Sequence, residues 1–120
     1  MRALVDEGPR DPIRTRLLAE VAVAAPALID LEFTNVMRGL LTKGAISLRG
    51  AEVAIAEFLR APIQRYRHES LVPRVWQLRQ NLTAYDAAYV ALAEALGMDL
   101  LTIDRGIGGA SGIRCRVVVV

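Results

Sequence analysis

The sequence predicts a single α/β domain in which a short parallel sheet is covered by helices on both faces. Three observations predict this fold class: the length of 120 residues, the apolar content of 53%, and the alternation of amphipathic segments with short apolar runs. A chain of this length forms one hydrophobic core. Helices that alternate with buried apolar strands are typical of parallel sheets.

Capping residues and proline positions define the predicted helices. An Asp-Pro pair begins the first, and serine or threonine caps others, while glycine or proline ends them. Helices are predicted from Asp11 to about Glu20, from Pro26 to about Lys43, from Ser47 to Ala61, from Pro73 to Arg79 and from Thr83 to Leu96.

Short runs rich in apolar and β-branched residues define the predicted strands. Four such runs are found, and the glycines between residues 106 and 112 predict a loop before the last of them. Strands are predicted for Val21–Ala25, Ile63–Arg67, Leu100–Ile103 and Cys115–Val120.

Composition excludes several classes of function. The net charge of +2 excludes a histone-like basic protein, and the single cysteine, Cys115, excludes an internal disulfide or a Cys-based zinc site. The single histidine, His68, excludes a His-rich metal site. The longest apolar run, Val21 to Ile29, contains a proline and is far shorter than the roughly 20 residues that span a bilayer, so neither a membrane span nor a signal peptide is expected.

Three carboxylates lie where acids are unusual. Glu32 and Asp86 lie on the apolar stripes of two predicted helices, and Asp104 follows a predicted strand at its carboxyl end. Buried carboxylates need a partner, and ligands of open parallel sheets bind beyond the carboxyl ends of the strands. Convergence of the three would suit Mg²⁺ or Mn²⁺. Such an ion lowers the pKa of bound water and stabilises charge on a phosphate, which indicates phosphodiester hydrolysis.

Each of the three acids also has a structural interpretation. Asp86 could complete a capping box with Thr83, Glu32 could pair with a buried arginine, and Asp104 could be a turn residue before Gly106. Spacing alone leaves these alternatives open.

Other polar and aromatic residues favour structural roles. Trp76 and Tyr89 have helical spacing and are expected in the core rather than as base-stacking platforms. Asp30 and Asp99 are expected on the surface. Four arginines are expected on a solvated face rather than on a phosphate-binding surface: Arg65, Arg67, Arg74 and Arg79.

Two segments resemble a known family. The segment 81–93, NLTAYDAAYVALA, followed by Leu-Leu-Thr-Ile-Asp at 100–104, looks like the C-terminal half of PIN-domain ribonucleases of the VapC toxin type. The stretch from Ala25 to Glu32, followed by Asn35 to Arg38, resembles their second motif. The resemblance extends from about Leu4 to Val120 and implies a three-layer α/β/α PIN-like domain.

The resemblance also implies a function and its residues. It implies an endoribonuclease dependent on Mg²⁺ or Mn²⁺, inhibited by a cognate antitoxin protein, commonly a homodimer, and resident in a prokaryotic cytoplasm. Glu32, Asp86 and Asp104 would be the catalytic metal ligands. Asn35 and Thr102 would be supporting polar residues, and Arg38 and Arg105 would contact the RNA.

The amino terminus departs from the family pattern. The family opens with a central strand that ends in Asp, typically within Val-Asp-x-Ser-Ala, and no such segment is found here. Asp6 is followed by Glu-Gly-Pro and is not equated with the first acid. We therefore expect that the strand, about ten residues, is missing, which a start codon assigned too far downstream would explain. Its loss would leave the neighbouring strands unpaired unless another segment fills the gap.

Two functional hypotheses follow. The first is a metal-dependent toxin ribonuclease of a VapBC-type pair. The second is a catalytically impaired PIN-like module that binds an antitoxin or RNA without cleaving.

Overall fold

The computed structural model describes residues 3–6, 23–102 and 105–119. Strands and helices alternate along most of this length, as the sequence predicts. The strands are β1 (Ala3–Asp6), β2 (Val23–Pro26), β3 (Ile63–Tyr66), β4 (Asp99–Thr102) and β5 (Val117–Val119). The helices are α1 (Ile29–Thr42), α2 (Leu48–Arg60), α3 (Val72–Gln77), α4 (Ala84–Leu96) and α5 (Arg105–Gly109), with a 3₁₀ turn at Glu69–Leu71.

The five strands form one sheet in the order β3-β2-β1-β4-β5. Strands β2 and β3 are parallel, β4 and β5 are parallel, and β1 is antiparallel to both of its neighbours. The sheet is therefore mixed, which corrects the expectation of a purely parallel one. Because β2 and β4 both oppose β1, the carboxyl ends of β2, β3, β4 and β5 share one edge of the sheet.

Strand β1 occupies the middle of the sheet, where the sequence predicts that the family's first strand is missing. Ala3–Asp6 takes that central place, so the facing edges of β2 and β4 have a hydrogen-bonding partner. The register pairs Asp6 with Val23 and with Asp99, at the amino ends of β2 and β4. Asp6 consequently lies at the sheet edge opposite to the carboxyl ends of these strands.

Helix α4 packs against β1, β2 and β4 and supplies much of the core. Its residues 87–93 are all buried, as expected for a helix that is apolar all round. The predicted caps are confirmed. The Thr83 side chain accepts from the Asp86 amide at 3.2 Å, and Gly97 closes the helix with a left-handed φ of 65°.

Helices α1 and α2 form an antiparallel hairpin. The rings of Phe33 and Phe58 stack between them with centroids 4.0 Å apart, and the Ser47 hydroxyl caps α2 by accepting from the Gly50 amide. With α4 on the sheet and this hairpin beside it, the mixed helix and strand architecture fits the predicted three-layer α/β/α PIN-like domain.

An ion pair anchors the segment before β5. The Arg74 guanidinium donates to both carboxylate oxygens of Glu94, at 2.7 and 3.1 Å, and to the Gly112 carbonyl, while the Arg114 amide donates to Glu94 at 2.6 Å. The Arg74 and Glu94 side chains are only 19% and 12% exposed. Arg74 is thus structural and largely shielded, which corrects its assignment to a solvated face.

Two further predictions concern the chain ends. The segment predicted as a glycine-rich loop begins with the short helix α5, and burial of Ile107 in the core offsets the poor helix propensity of its glycines. The predicted helix from Asp11 to Glu20 lies outside the described residues.

In the three described stretches, no helix has the length and apolar character needed to cross a membrane.

Candidate active site

The candidate site lies at the turn between the end of β2 and the start of α1. Strand β2 ends at Pro26, and α1 begins at Ile29 with Asp30 and Glu32 in its first turn. Acidic side chains are favoured there because the helix dipole is positive at the amino end. The parallel strands direct this turn to the edge shared by their carboxyl ends, so the fold positions Glu32 where the sequence predicts a ligand site.

Tyr89 connects Glu32 to the core. The phenol on α4 donates a hydrogen bond to Glu32 Oε1 across the boundary between α1 and α4. Burial raises the pKa of Tyr89 strongly, and the hydrogen bond and charge of Glu32 raise it further. The phenol therefore remains protonated and keeps donating to the carboxylate.

Asp86 lies in the first turn of α4, three residues before Tyr89. Its negative charge, and that of Asp30, also contribute to the raised pKa of Tyr89. Glu32 thus bonds to the Tyr89 phenol, and Asp86 lies one turn before Tyr89 on the same helix. The convergence of the three acids on a metal ion stays a prediction.

The structural interpretations of the acids can now be compared with their contacts. The Asp86 amide bonds to Thr83, which gives Asp86 a place in the cap of α4 as well as beside Tyr89. Among the described residues, the hydrogen-bond partner found for Glu32 is Tyr89 rather than an arginine. Arg65 pairs instead with Asp30.

The ion pair between Asp30 and Arg65 corrects two predictions of surface residues. Arg65 Nε lies 2.9 and 2.8 Å from the two carboxylate oxygens of Asp30, and the side chains are 25% and 32% exposed. The guanidinium also lies 5.8 Å from the centroid of the Phe58 ring. This pairing raises the pKa of Arg65 and fixes the first turn of α1 against β3.

An open cavity of about 480 Å³ adjoins Glu32. Its walls are mostly apolar, and Asn35, one helical turn after Glu32, contributes an amide. The residues that line it are Leu28, Leu31, Glu32, Asn35 and Tyr85. The Glu32 side chain therefore lines a cavity that is open to solvent.

The remaining predicted site residues have separate positions. Thr102 is 1% exposed at the carboxyl end of β4, Arg38 is exposed on α1, and Arg105 begins α5. Asp104 lies outside the described residues. Among residues 3–6, 23–102 and 105–119, no three His, Cys, Asp or Glu side chains form a group that could hold a metal ion.

The oxygen donors that are present fit a hard divalent cation. Glu32 and Asp86 supply carboxylates, and Asn35 supplies an amide beside Glu32, which are donor types that Mg²⁺ and Mn²⁺ accept. Two carboxylates with water and substrate phosphate are a common way to bind Mg²⁺.

Other corrections concern side chains away from the candidate site. Tyr89 is buried as predicted, but its bond to Glu32 joins two separate helices, and no local sequence pattern predicts it. Trp76 is 65% exposed with the Arg79 guanidinium 4.5 Å from its ring centroid, so the prediction of a core residue is wrong. Asp99 is 6% exposed, although it was expected on the surface, and Arg116 lies 3.9 Å from it.

Comparisons with known proteins identify relatives along the whole chain. Ribonuclease VapC9 of Mycobacterium tuberculosis is 32% identical over 120 residues, which is 100% of this chain and 91% of the relative. Ribonuclease VapC1 of the same species is 37% identical over 119 residues, covering 98% and 90%. Ribonuclease VapC12 is 34% identical over 105 residues, covering 88% and 81%.

No family model matches the chain. The identity and coverage of these relatives are nevertheless sufficient to assign the family. The chain belongs to the VapC family of PIN-domain ribonucleases.

Proposed function

We propose that this chain is a metal-dependent endoribonuclease and the toxin of a VapBC-type toxin–antitoxin pair. The observation that carries the proposal is the hydrogen bond from Tyr89 to Glu32, one helical turn after Asp86 and beside an open cavity. The names of the relatives, all ribonucleases, give the same reaction class.

In the proposed site, Glu32, Asp86 and Asp104 hold Mg²⁺ or Mn²⁺. When bound, the ion makes water a better nucleophile and stabilises the charge that develops on the scissile phosphate. Tyr89 fixes the orientation of the Glu32 carboxylate by donating to Oε1. Asn35 and Thr102 are proposed as supporting polar groups, and Arg38 and Arg105 as contacts to RNA phosphates.

We also propose a cognate antitoxin and a homodimer. Soluble monomers rarely expose contiguous apolar side chains over a large area. The helical hairpin of α1 and α2 exposes Leu31, Leu41, Leu48 and Leu59. This surface supports burial against a protein partner.

The test is RNA cleavage with Mg²⁺ or Mn²⁺, together with calorimetric titration of the metal. Glu32→Gln, Asp86→Asn and Asp104→Asn should each reduce cleavage at least about 100-fold, since loss of a mere supporting residue already costs 10- to 100-fold. Glu52→Gln, at an exposed position on α2, is the matched control and should cleave like the parent. Equal cleavage by the parent and the three acid variants would overturn the proposal.

The second candidate is a binding module that engages antitoxin or RNA without cleaving. It is favoured by the register of β1, which holds Asp6 at the edge opposite to the carboxyl ends of β2 and β4. A form carrying the family's first strand and acid distinguishes the two. Cleavage by the longer form alone supports the binding module for this chain, whereas cleavage by both supports the enzyme.

A further inference from the structure

Tyr85 has an unusual combination of position and exposure. It lies one residue before Asp86 in the first turn of α4, yet 65% of its surface is exposed, while the rest of that helix from Ala87 to Ala93 is buried. Its ring lines the cavity that also contains Glu32. A large aromatic side chain is thus exposed directly beside both acids.

The cavity has the composition of a site for a flat, uncharged group with a polar edge. Leu28, Leu31 and Tyr85 supply apolar walls, and the polar groups are the amide of Asn35 and the carboxylate of Glu32. Its volume of about 480 Å³ lies within the range of small-molecule sites, roughly 300–1,000 Å³. That is enough room for one nucleobase with part of its ribose.

Charge argues against a phosphate in this cavity. Among the described residues, those that line the cavity carry one carboxylate, that of Glu32, and no cationic side chain. A neutral base avoids repulsion by that carboxylate, while its phosphate would lie outside the cavity. Single-stranded RNA is recognised in this way, by stacking of an unpaired base on an aromatic ring and hydrogen bonding at its edge.

We propose that Tyr85 is a stacking platform for an unpaired RNA base next to the scissile phosphate, with Asn35 bonding the base edge. The inference rests on the proposed ribonuclease function and extends it to the binding of single-stranded substrate. Tyr85 thereby positions the substrate and takes no part in proton transfer.

The test combines cleavage kinetics with a binding signal that needs no cleavage. Tyr85→Ala should raise KM for a single-stranded oligoribonucleotide about tenfold with little change in kcat, and Tyr85→Phe should restore it, since the ring is what stacks. An oligonucleotide carrying 2-aminopurine, bound in EDTA, should be quenched by the parent and by Tyr85→Phe but not by Tyr85→Ala. Trp76→Ala, at a residue of equal 65% exposure, should change neither signal.

Each outcome separates this inference from the ribonuclease proposal. Metal-dependent cleavage that needs Glu32, with an unchanged KM and no quenching change in Tyr85→Ala, overturns the platform and leaves the enzyme. Quenching that depends on the Tyr85 ring, without any cleavage, supports the platform and overturns the enzyme. If Tyr85→Ala weakens only binding of a purified antitoxin, the cavity is a protein-binding site and the inference is wrong.

Discussion

Replacement of Glu94 by glutamine should destabilise the fold strongly, although it changes only one functional group. The carboxylate accepts from Arg74 Nε, from a second Arg74 nitrogen and from the Arg114 amide. A glutamine keeps one acceptor oxygen and turns an amide donor toward these donors. The Arg74 guanidinium, 19% exposed, would then lack its counter-charge.

The expected loss can be bounded from these contacts. Breaking a fully buried ion pair by removing one partner costs about 3–5 kcal/mol. A hydrogen bond to a charged group contributes about 1.5–3 kcal/mol. Because both side chains retain some exposure and Arg74 keeps its bonds to Gln77 and Gly112, we expect a loss of about 2–3 kcal/mol in the free energy of unfolding.

The pH dependence follows from the direction of the pKa shift. Burial alone would raise the pKa of Glu94, but the bonds from Arg74 and Arg114 outweigh it and hold the pKa below its ordinary 4.5. A group whose pKa is lowered by folding stabilises the protein above its unfolded pKa and loses that contribution as the pH falls. The difference between parent and Glu94→Gln should therefore shrink below about pH 4.5.

Urea unfolding followed by circular dichroism at pH 7 and at about pH 3.5 measures both effects. Glu57→Gln, at an exposed position on α2, is the matched control and should lie within about 0.5 kcal/mol of the parent. A Glu94→Gln protein as stable as this control at pH 7 would refute the reasoning. So would a difference that does not shrink in acid.

Three further predictions test other local arguments. Tyr89→Phe removes the donor to Glu32 and should lower metal affinity about tenfold, measured by calorimetry, with the far-ultraviolet spectrum unchanged; parent-like affinity would contradict the positioning role. Gly97→Ala, at φ 65°, should destabilise by about 1 kcal/mol in urea, whereas Gly39→Ala inside α1, with open space around a new Cβ, should stabilise by about 0.5–1 kcal/mol; equal effects would refute the conformational argument. Burial raises the pKa of Cys115 to about 11, so iodoacetamide at pH 8 should modify it far more slowly than a free thiol, and fast labelling would contradict this.

Local chemistry determined the part of the fold that sequence could predict. Thr83, Ser47 and Gly97 define helix ends through contacts within a few residues, so their roles follow from residue type. The stripes that carry Glu32 and Asp86 follow from helical spacing in the same way.

Contacts between distant segments determined what the sequence could not predict. The direction of β1 depends on pairing with two strands far along the chain, and nothing in Ala3–Asp6 encodes it. The bond from Tyr89 to Glu32 and the ion pair between Arg65 and Asp30 join residues of separate elements. The exposure of Trp76 likewise depends on which segments pack against α3, and helical spacing within α3 does not reveal this.

Two contacts hold the first turn of α1 in place. Tyr89 bonds it to the buried helix α4, and Arg65 pairs it with strand β3. The hairpin of α1 and α2 is therefore held in place at the end that carries Glu32. Its far end, near residues 43–46, makes neither of these two contacts. A force applied near residues 43–46 would therefore bend the hairpin before it displaced the Glu32 carboxylate. Substitutions near residues 43–46 can consequently change which partners the hairpin binds while the position of Glu32 is preserved.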